Sequence, residues 1–239
     1  MTSTEVAALA TAAVLGITHA IEPDHVAGIS SLTSQYADSR LSALAGACFS
    51  LGHVALVVAW LGVAYLLLGQ TTFPPIFDAV GTVGVGIVLG LLGAVMAVTG
   101  IRRTIRTTEH DHGSVTHSHP HVHLPLPGFD GHDHGHDTVS YLKTGLVGAL
   151  FTLSPPVSMI VFSSTLLPDY GSTVVALAVV TYGVTITATM SLLGAGAGTL
   201  FGLTQSRSAT FHGAAQTVAG VAIAALAATL LFDSVPMLL

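Results

Sequence analysis

Two histidines and two carboxylates stand within seven residues of one another in otherwise apolar sequence: His19-Ala20-Ile21-Glu22-Pro23-Asp24-His25. Apolar chain leads up to them from Ala7 to Gly16 and away from them from Val26 to Leu32. Ionisable groups at membrane depth are costly and mark function. Imidazole nitrogens joined by a carboxylate suit a borderline divalent metal such as Ni²⁺, Co²⁺ or Zn²⁺. On an unbroken helix His19 and His25 could not meet, because six residues turn the chain by about 240°. Pro23 changes this. Its ring takes the space of the His19 carbonyl, four residues back, and its missing N–H leaves that carbonyl free. The sequence therefore predicts a helix broken at Glu22-Pro23, with His19, Asp24 and His25 turned toward one point and Glu22 beside them.

The same residues carry a resemblance. His19 to His25 fits the His-x4-Asp-His signature of the nickel/cobalt transporters, the NiCoT/NicO group, and Phe49-Ser50-Leu51-Gly52-His53 resembles a second motif of that group. The resemblance is specific over these two motifs and looser elsewhere. It implies a multi-spanning permease for Ni²⁺ or Co²⁺, carried as substrate and not kept as a cofactor. Within lipid, and inside this motif, His53 reads as a fourth metal-site residue beside His19, Asp24 and His25.

The elements that must position these groups are membrane helices. Of 239 residues 51% are hydrophobic and 8% charged, with a mean hydropathy of +0.77, whereas a soluble domain is about 25% charged. The 26 glycines suit close helix packing in lipid. The single cysteine, Cys48, excludes an internal disulfide and a thiolate metal site. No Lys or Arg precedes Arg40, so a signal-peptide n-region is not expected and residues 5–21 read as part of the first helix. The fold class expected is an all-α integral membrane protein with about six transmembrane helices, broken at Pro23 and at Pro155-Pro156. The spans run over Val6–Leu32, Leu41–Leu68, Ile76–Ile101, Tyr141–Leu167, Ser172–Leu203 and Phe211–Phe232. All six basic residues (Arg40, Arg102, Arg103, Arg106, Lys143 and Arg207) then fall on one side. The positive-inside rule makes that side cytoplasmic, with both termini outside.

The chain reads as one transporter domain in two inverted three-helix repeats, 5–101 and 140–233, around a cytoplasmic loop over 102–139. A shift of 133 residues places Pro156 on Pro23 and Ser163-Ser164 on Ser30-Ser31, with Thr152 in place of His19 and Ser158 in place of His25. Thr152, Ser154 and Ser158 are hydroxyls near the second break. They could bond freed backbone carbonyls or line the ion path. The loop holds His110, His112, His117, His119, His121, His123, His132, His134 and His136, interleaved with aspartates, prolines and glycines. This composition favours weak binding of several metal ions. Gly86, Gly90 and Gly93 of the third span read as a packing face. Thr181, Thr185, Thr187 and Thr189 read as backbone or interhelix bonders, and His212, at the mouth of the sixth span, as a surface residue.

Four functions compete for this pattern. A Ni²⁺ or Co²⁺ transporter of either direction uses every feature above, with a divalent ion and the lipid bilayer as partners and no nucleic acid. An intramembrane zinc metalloenzyme could use Glu22 as its base, but the His-Glu-x-x-His helix motif is absent. A proton-coupled exporter of another substrate could relay protons through His19 and Asp24. A thiol-electron carrier fails for want of a second cysteine. The sequence points to a transporter rather than an enzyme. No nucleotide-binding loop is seen, so energy must come from an ion gradient, the membrane potential or a partner.

Overall fold

The computed structural model describes residues 2–34, 36, 38–68, 75–106, 144–148, 150–151 and 156–237, and every element among them is helical. Helix α1 (Ser3–Ala20) starts from a capping box in which the Thr2 hydroxyl and the Glu5 carboxylate each accept the other's backbone N–H. It stops two residues before α2 (Pro23–Thr33). Pro23 sits in the first turn of α2, where a missing N–H costs nothing. The two axes are bent by 59°. Helix α3 (Ser39–Gly62) begins where Asp38 accepts the Leu41 N–H at 2.8 Å, and runs on as a π-helical segment, Val63–Leu68. Helix α4 spans Pro75–Arg106, and a short helical stretch, α5, covers 144–148.

Helix α6 (Val157–Arg207) opens directly after Pro156 and counts 51 residues. At about 1.5 Å per residue it would far exceed the roughly 30 Å of a hydrocarbon core. It does not run straight: Gly171 has φ +72°, three residues after Pro168, a conformation that glycine adopts without strain. Helix α7 (Ala209–Ser234) follows at once, its first turn closed by the Ser208 hydroxyl on the Phe211 N–H at 3.0 Å. By length and composition α3, α4, α6 and α7 can each cross a membrane, and the bent pair α1–α2 makes a fifth candidate. The sequence predicts six. Among the described residues the sixth is not seen: α6 counts as one candidate, with Gly171 between the Leu167 and Ser172 that bound the fourth and fifth predicted spans, and much of the fourth predicted span lies outside the described residues.

Helix α4 packs on α7, and both α1 and α3 pack on α6. The first contact is glycine on glycine. A Cβ on Gly93 would lie 2.8 Å from the Gly220 carbonyl oxygen, and one on Gly220 would lie 2.7 Å from that of Gly93. No side chain larger than hydrogen fits there, so the small face expected on the third span has α7 as its partner. Ile29, Phe49, Met159, Ile160, Tyr182, Ile186 and Met190 form the centre of the core, each nearly fully buried. The start of α3 lies on the last third of α6, and the end of α4 on the start of α7. Arg40, Arg102, Arg103 and Arg207 therefore gather at one end of the bundle.

His212 corrects the sequence reading. It is 3% exposed, and its Nδ1 lies 2.8 Å from the Thr204 hydroxyl. The short α6–α7 connection tucks the first turn of α7 under Phe201. A position four residues into a helix does not reveal this.

Candidate metal centre

The break between α1 and α2 brings the two histidines of the first motif together. The Glu22 N–H bonds back to the His19 carbonyl at 3.2 Å, and the Val26 N–H to the Glu22 carbonyl at 3.0 Å. The freed carbonyl thus finds a partner inside the turn, and the chain reverses sharply enough to bring the rings of His19 and His25 within 4.7 Å, centroid to centroid. His53 comes from the middle of α3. Its ring lies 5.1 Å from that of His19 and 4.8 Å from that of His25. One ring nitrogen from each of the three lies within 4.8 Å of the others.

The approach is closest between His19 Nε2 and His53 Nε2, at 3.1 Å. Two nitrogens bound to one ion at about 2.1 Å stand about 3.0 Å apart at a right angle and about 3.4 Å apart at the tetrahedral angle. The pair is therefore already spaced for a shared ion. His25 and His53 are each 1% exposed, and neither His25 ring nitrogen has a hydrogen-bond partner. A buried imidazole left without partners costs free energy that an arriving cation would recover.

The carboxylates lie behind the rings. Glu22 Oε1 is 3.0 Å from His19 Nδ1. Asp24 Oδ1 is 3.1 Å from His25 Nδ1, off the line that a hydrogen bond needs, and accepts the His25 backbone N–H at 2.9 Å. Glu22, Asp24 and His25 also form a second, more exposed group of potential ligands. The Glu22 carboxylate at His19 Nδ1 orients that ring and leaves Nε2 facing His53, the usual outer arrangement of a metal-binding histidine.

A cavity of about 460 Å³ opens onto the cluster. His19, Glu22, Asp24, His25 and His53 line it, with Asp78 and Thr82 of α4, Leu230 of α7, and Phe151, Pro156 and Ser158 from the second half. Phe49 and Phe151 flank the His25 ring at 6.3 and 6.2 Å and contact each other edge to face at 5.1 Å. A Cβ on Gly28 would lie 2.8 Å from the Phe151 ring, so the turn of α2 after His25 can carry no side chain there.

Of the residues expected at the site, His19, Glu22, Asp24, His25 and His53 are thus brought together, and Ser158 lines the same cavity. Thr152, Ser154 and the nine histidines of the loop lie outside the described residues. Phe151 and Tyr182 had gone unremarked. The Tyr182 ring lies 6.2 Å from that of His19, and only its place as the one tyrosine of a threonine-rich span could have singled it out.

This constellation falls within a segment that known proteins share. Residues 6–153 match a family model described as NicO, high-affinity nickel-transport protein. The chain belongs to the NicO family. The match covers α1 to α5, and so contains all three histidines of the cluster and both carboxylates. With its apolar helices it makes this NicO chain a multi-pass membrane protein. A urease accessory protein, UreH, of Bacillus sp. (strain TB-90) is 23% identical over 150 residues, which cover 63% of this chain and 59% of UreH. The chain thus matches less than two thirds of the length of that curated relative. No solved structure matches this NicO protein.

Proposed function

We propose that the chain is a permease that moves Ni²⁺ or Co²⁺ across a membrane, the ion being held by His19, His25, His53 and the Asp24 carboxylate. The observation that carries this reading is the convergence of three imidazoles on a helix break inside the NicO-matching segment, with two ring nitrogens 3.1 Å apart and a third, buried histidine whose ring nitrogens make no hydrogen bond and stand beside the Asp24 carboxylate. Three nitrogens and a carboxylate suit Ni²⁺ and Co²⁺, and the family description names nickel. Glu22 holds the His19 ring, and Ser158 faces the ion path across the cavity.

In this reading the bundle has six spans in two inverted halves, with α6 counted as two arms that meet at Gly171 and α5 as the start of the fourth span. Two matched contacts support the inversion. Pro23 and Pro156 each stand at the start of a helix, 133 residues apart. Phe49 and Tyr182 stand at the same separation, and a glycine packs on the backbone of each: Gly148 on Phe49 and Gly16 on Tyr182. The arginine-bearing end is cytoplasmic by the positive-inside rule, and the histidine-rich loop gathers ions there. The cavity, with Asp78 at the start of α4 and Leu230 near the end of α7, lies toward the other end, so in this reading the site is reached from outside.

Purified protein reconstituted into vesicles with a metal-sensing dye inside tests the proposal. Wild-type protein should carry Ni²⁺ or Co²⁺, and His25→Ala should not. Equal flux in the two proteins sinks the assignment.

A further inference from the structure

The second half of the molecule places one polar group against the histidine cluster that the reading above leaves without a task. Tyr182, in the middle of α6, is 1% exposed, and its hydroxyl has no hydrogen-bond partner. A buried hydroxyl left unpaired costs about 1–3 kcal/mol, so something must compensate for it or use it.

Packing does not require the oxygen. At the matching position of the first half, 133 residues earlier, stands Phe49. Phe49 lies 6.3 Å from the His25 ring, and Tyr182 lies 6.2 Å from the His19 ring. Each has a glycine of a neighbouring helix against its backbone. The aromatic ring alone fills this place at Phe49, so the hydroxyl is what Tyr182 adds. The Tyr182 ring stands beside that of His19, the more accessible of the first motif's two histidines.

Resting on the transport reading, we infer that Tyr182 is a specificity-determining residue, whose hydroxyl takes a water molecule of the arriving ion as its hydrogen-bond partner. Three imidazoles and one carboxylate leave a six-coordinate ion with open positions, which water fills. A phenol can donate to or accept from such a water. It thereby favours an ion that keeps part of its hydration shell over one that is satisfied by four protein ligands. Ni²⁺ and Co²⁺ with added water gain from the contact, and a four-coordinate Zn²⁺ does not.

The test is Tyr182→Phe in the full chain, which keeps the ring and removes the oxygen. Two quantities are read: the Ni²⁺ concentration at half-maximal flux, with Zn²⁺ as competitor, and the melting temperature of the metal-free protein. The half-saturating Ni²⁺ concentration should rise by about tenfold, the lower end of what an outer partner of a metal site contributes. Discrimination against Zn²⁺ should fall. The metal-free melting temperature should stay level or rise, because an unpaired buried group has been removed. A lowered melting temperature with unchanged half-saturation and unchanged competition by Zn²⁺ would assign Tyr182 to the scaffold and overturn the inference. Wild-type flux with an indistinguishable variant also overturns it while leaving the transport reading intact. Absence of Ni²⁺ and Co²⁺ flux in the wild type overturns both.

Discussion

Two regions of the bundle bury histidine, and they do so differently. At the α1–α2 break three imidazoles face one another, with His25 lacking any hydrogen-bond partner and a cavity leading to the rings. At the α6–α7 corner His212 is nearly as deeply buried, but its Nδ1 pairs with the Thr204 hydroxyl, and Phe201 covers the ring. Burial is common to both; convergence is not. A histidine paired with a hydroxyl of its own corner serves the fold, whereas three imidazoles that converge beside carboxylates can share a cation. The difference arises in what each helix break faces. The break at Pro23 turns His19 and His25 toward each other and toward His53, whereas the break at Ser208 turns His212 onto Thr204 and Phe201.

The largest expected effect separates the two regions. His25→Ala, His19→Ala and His53→Ala should each weaken Ni²⁺ binding in the bundle by more than the roughly 10–100-fold that loss of an outer partner costs, while His212→Ala leaves it unchanged. Titration calorimetry on protein lacking residues 109–136 reads this without the histidines of the loop. Equal losses at His25 and His212 would erase the distinction.

Next come the carboxylates. Glu22→Gln should weaken binding by about 10–100-fold, as loss of an outer partner does, and Asp24→Asn by more, because Asp24 is taken as a ligand of the ion and is 24% exposed against 50% for Glu22. The reverse order would make Glu22 the closer partner of the ion.

Smaller effects belong to the scaffold. Gly16→Ala puts a methyl carbon 2.8 Å from the Tyr182 carbonyl oxygen, and overpacking of this kind costs about 1–3 kcal/mol. Thermal unfolding should show the loss, with reduced flux because His19 lies one turn away. His212→Ala should cost a similar amount through the lost Thr204 bond and the space left behind, with flux per folded molecule unchanged. Smallest for transport is the loop. Deleting 109–136 should remove most of the bound metal and leave one tighter site. The metal lost on deletion should be the part released from intact protein below about pH 6, where imidazole protonates and gives up its ligand role.

What the sequence made legible follows from chemistry that is local along the chain. Pro23 predicts the break because a proline removes one particular hydrogen bond, and His19, Glu22, Asp24 and His25 lie within a turn or so of it. His53 was legible through its motif. Gly93 was legible as a packing residue, though only the fold shows that Gly220 is its partner. Tyr182 and Phe151 were not, since each reaches the site through helix packing across more than a hundred residues. His212 was misplaced for the same reason: its burial depends on how α7 turns back from α6. The count of six, read from apolar runs, is not matched by the four or five candidate spans among the described residues, where α6 runs on through Gly171 as one element.

The most direct measurement is nickel-edge X-ray absorption on the loop-deleted protein loaded with one equivalent of Ni²⁺, beside its His25→Ala and His212→Ala variants. The account predicts nitrogen and oxygen neighbours at about 2.0–2.2 Å, with imidazole scattering from three rings that is unchanged in His212→Ala and reduced in His25→Ala. A spectrum without imidazole, or one that His25→Ala leaves untouched, would contradict it.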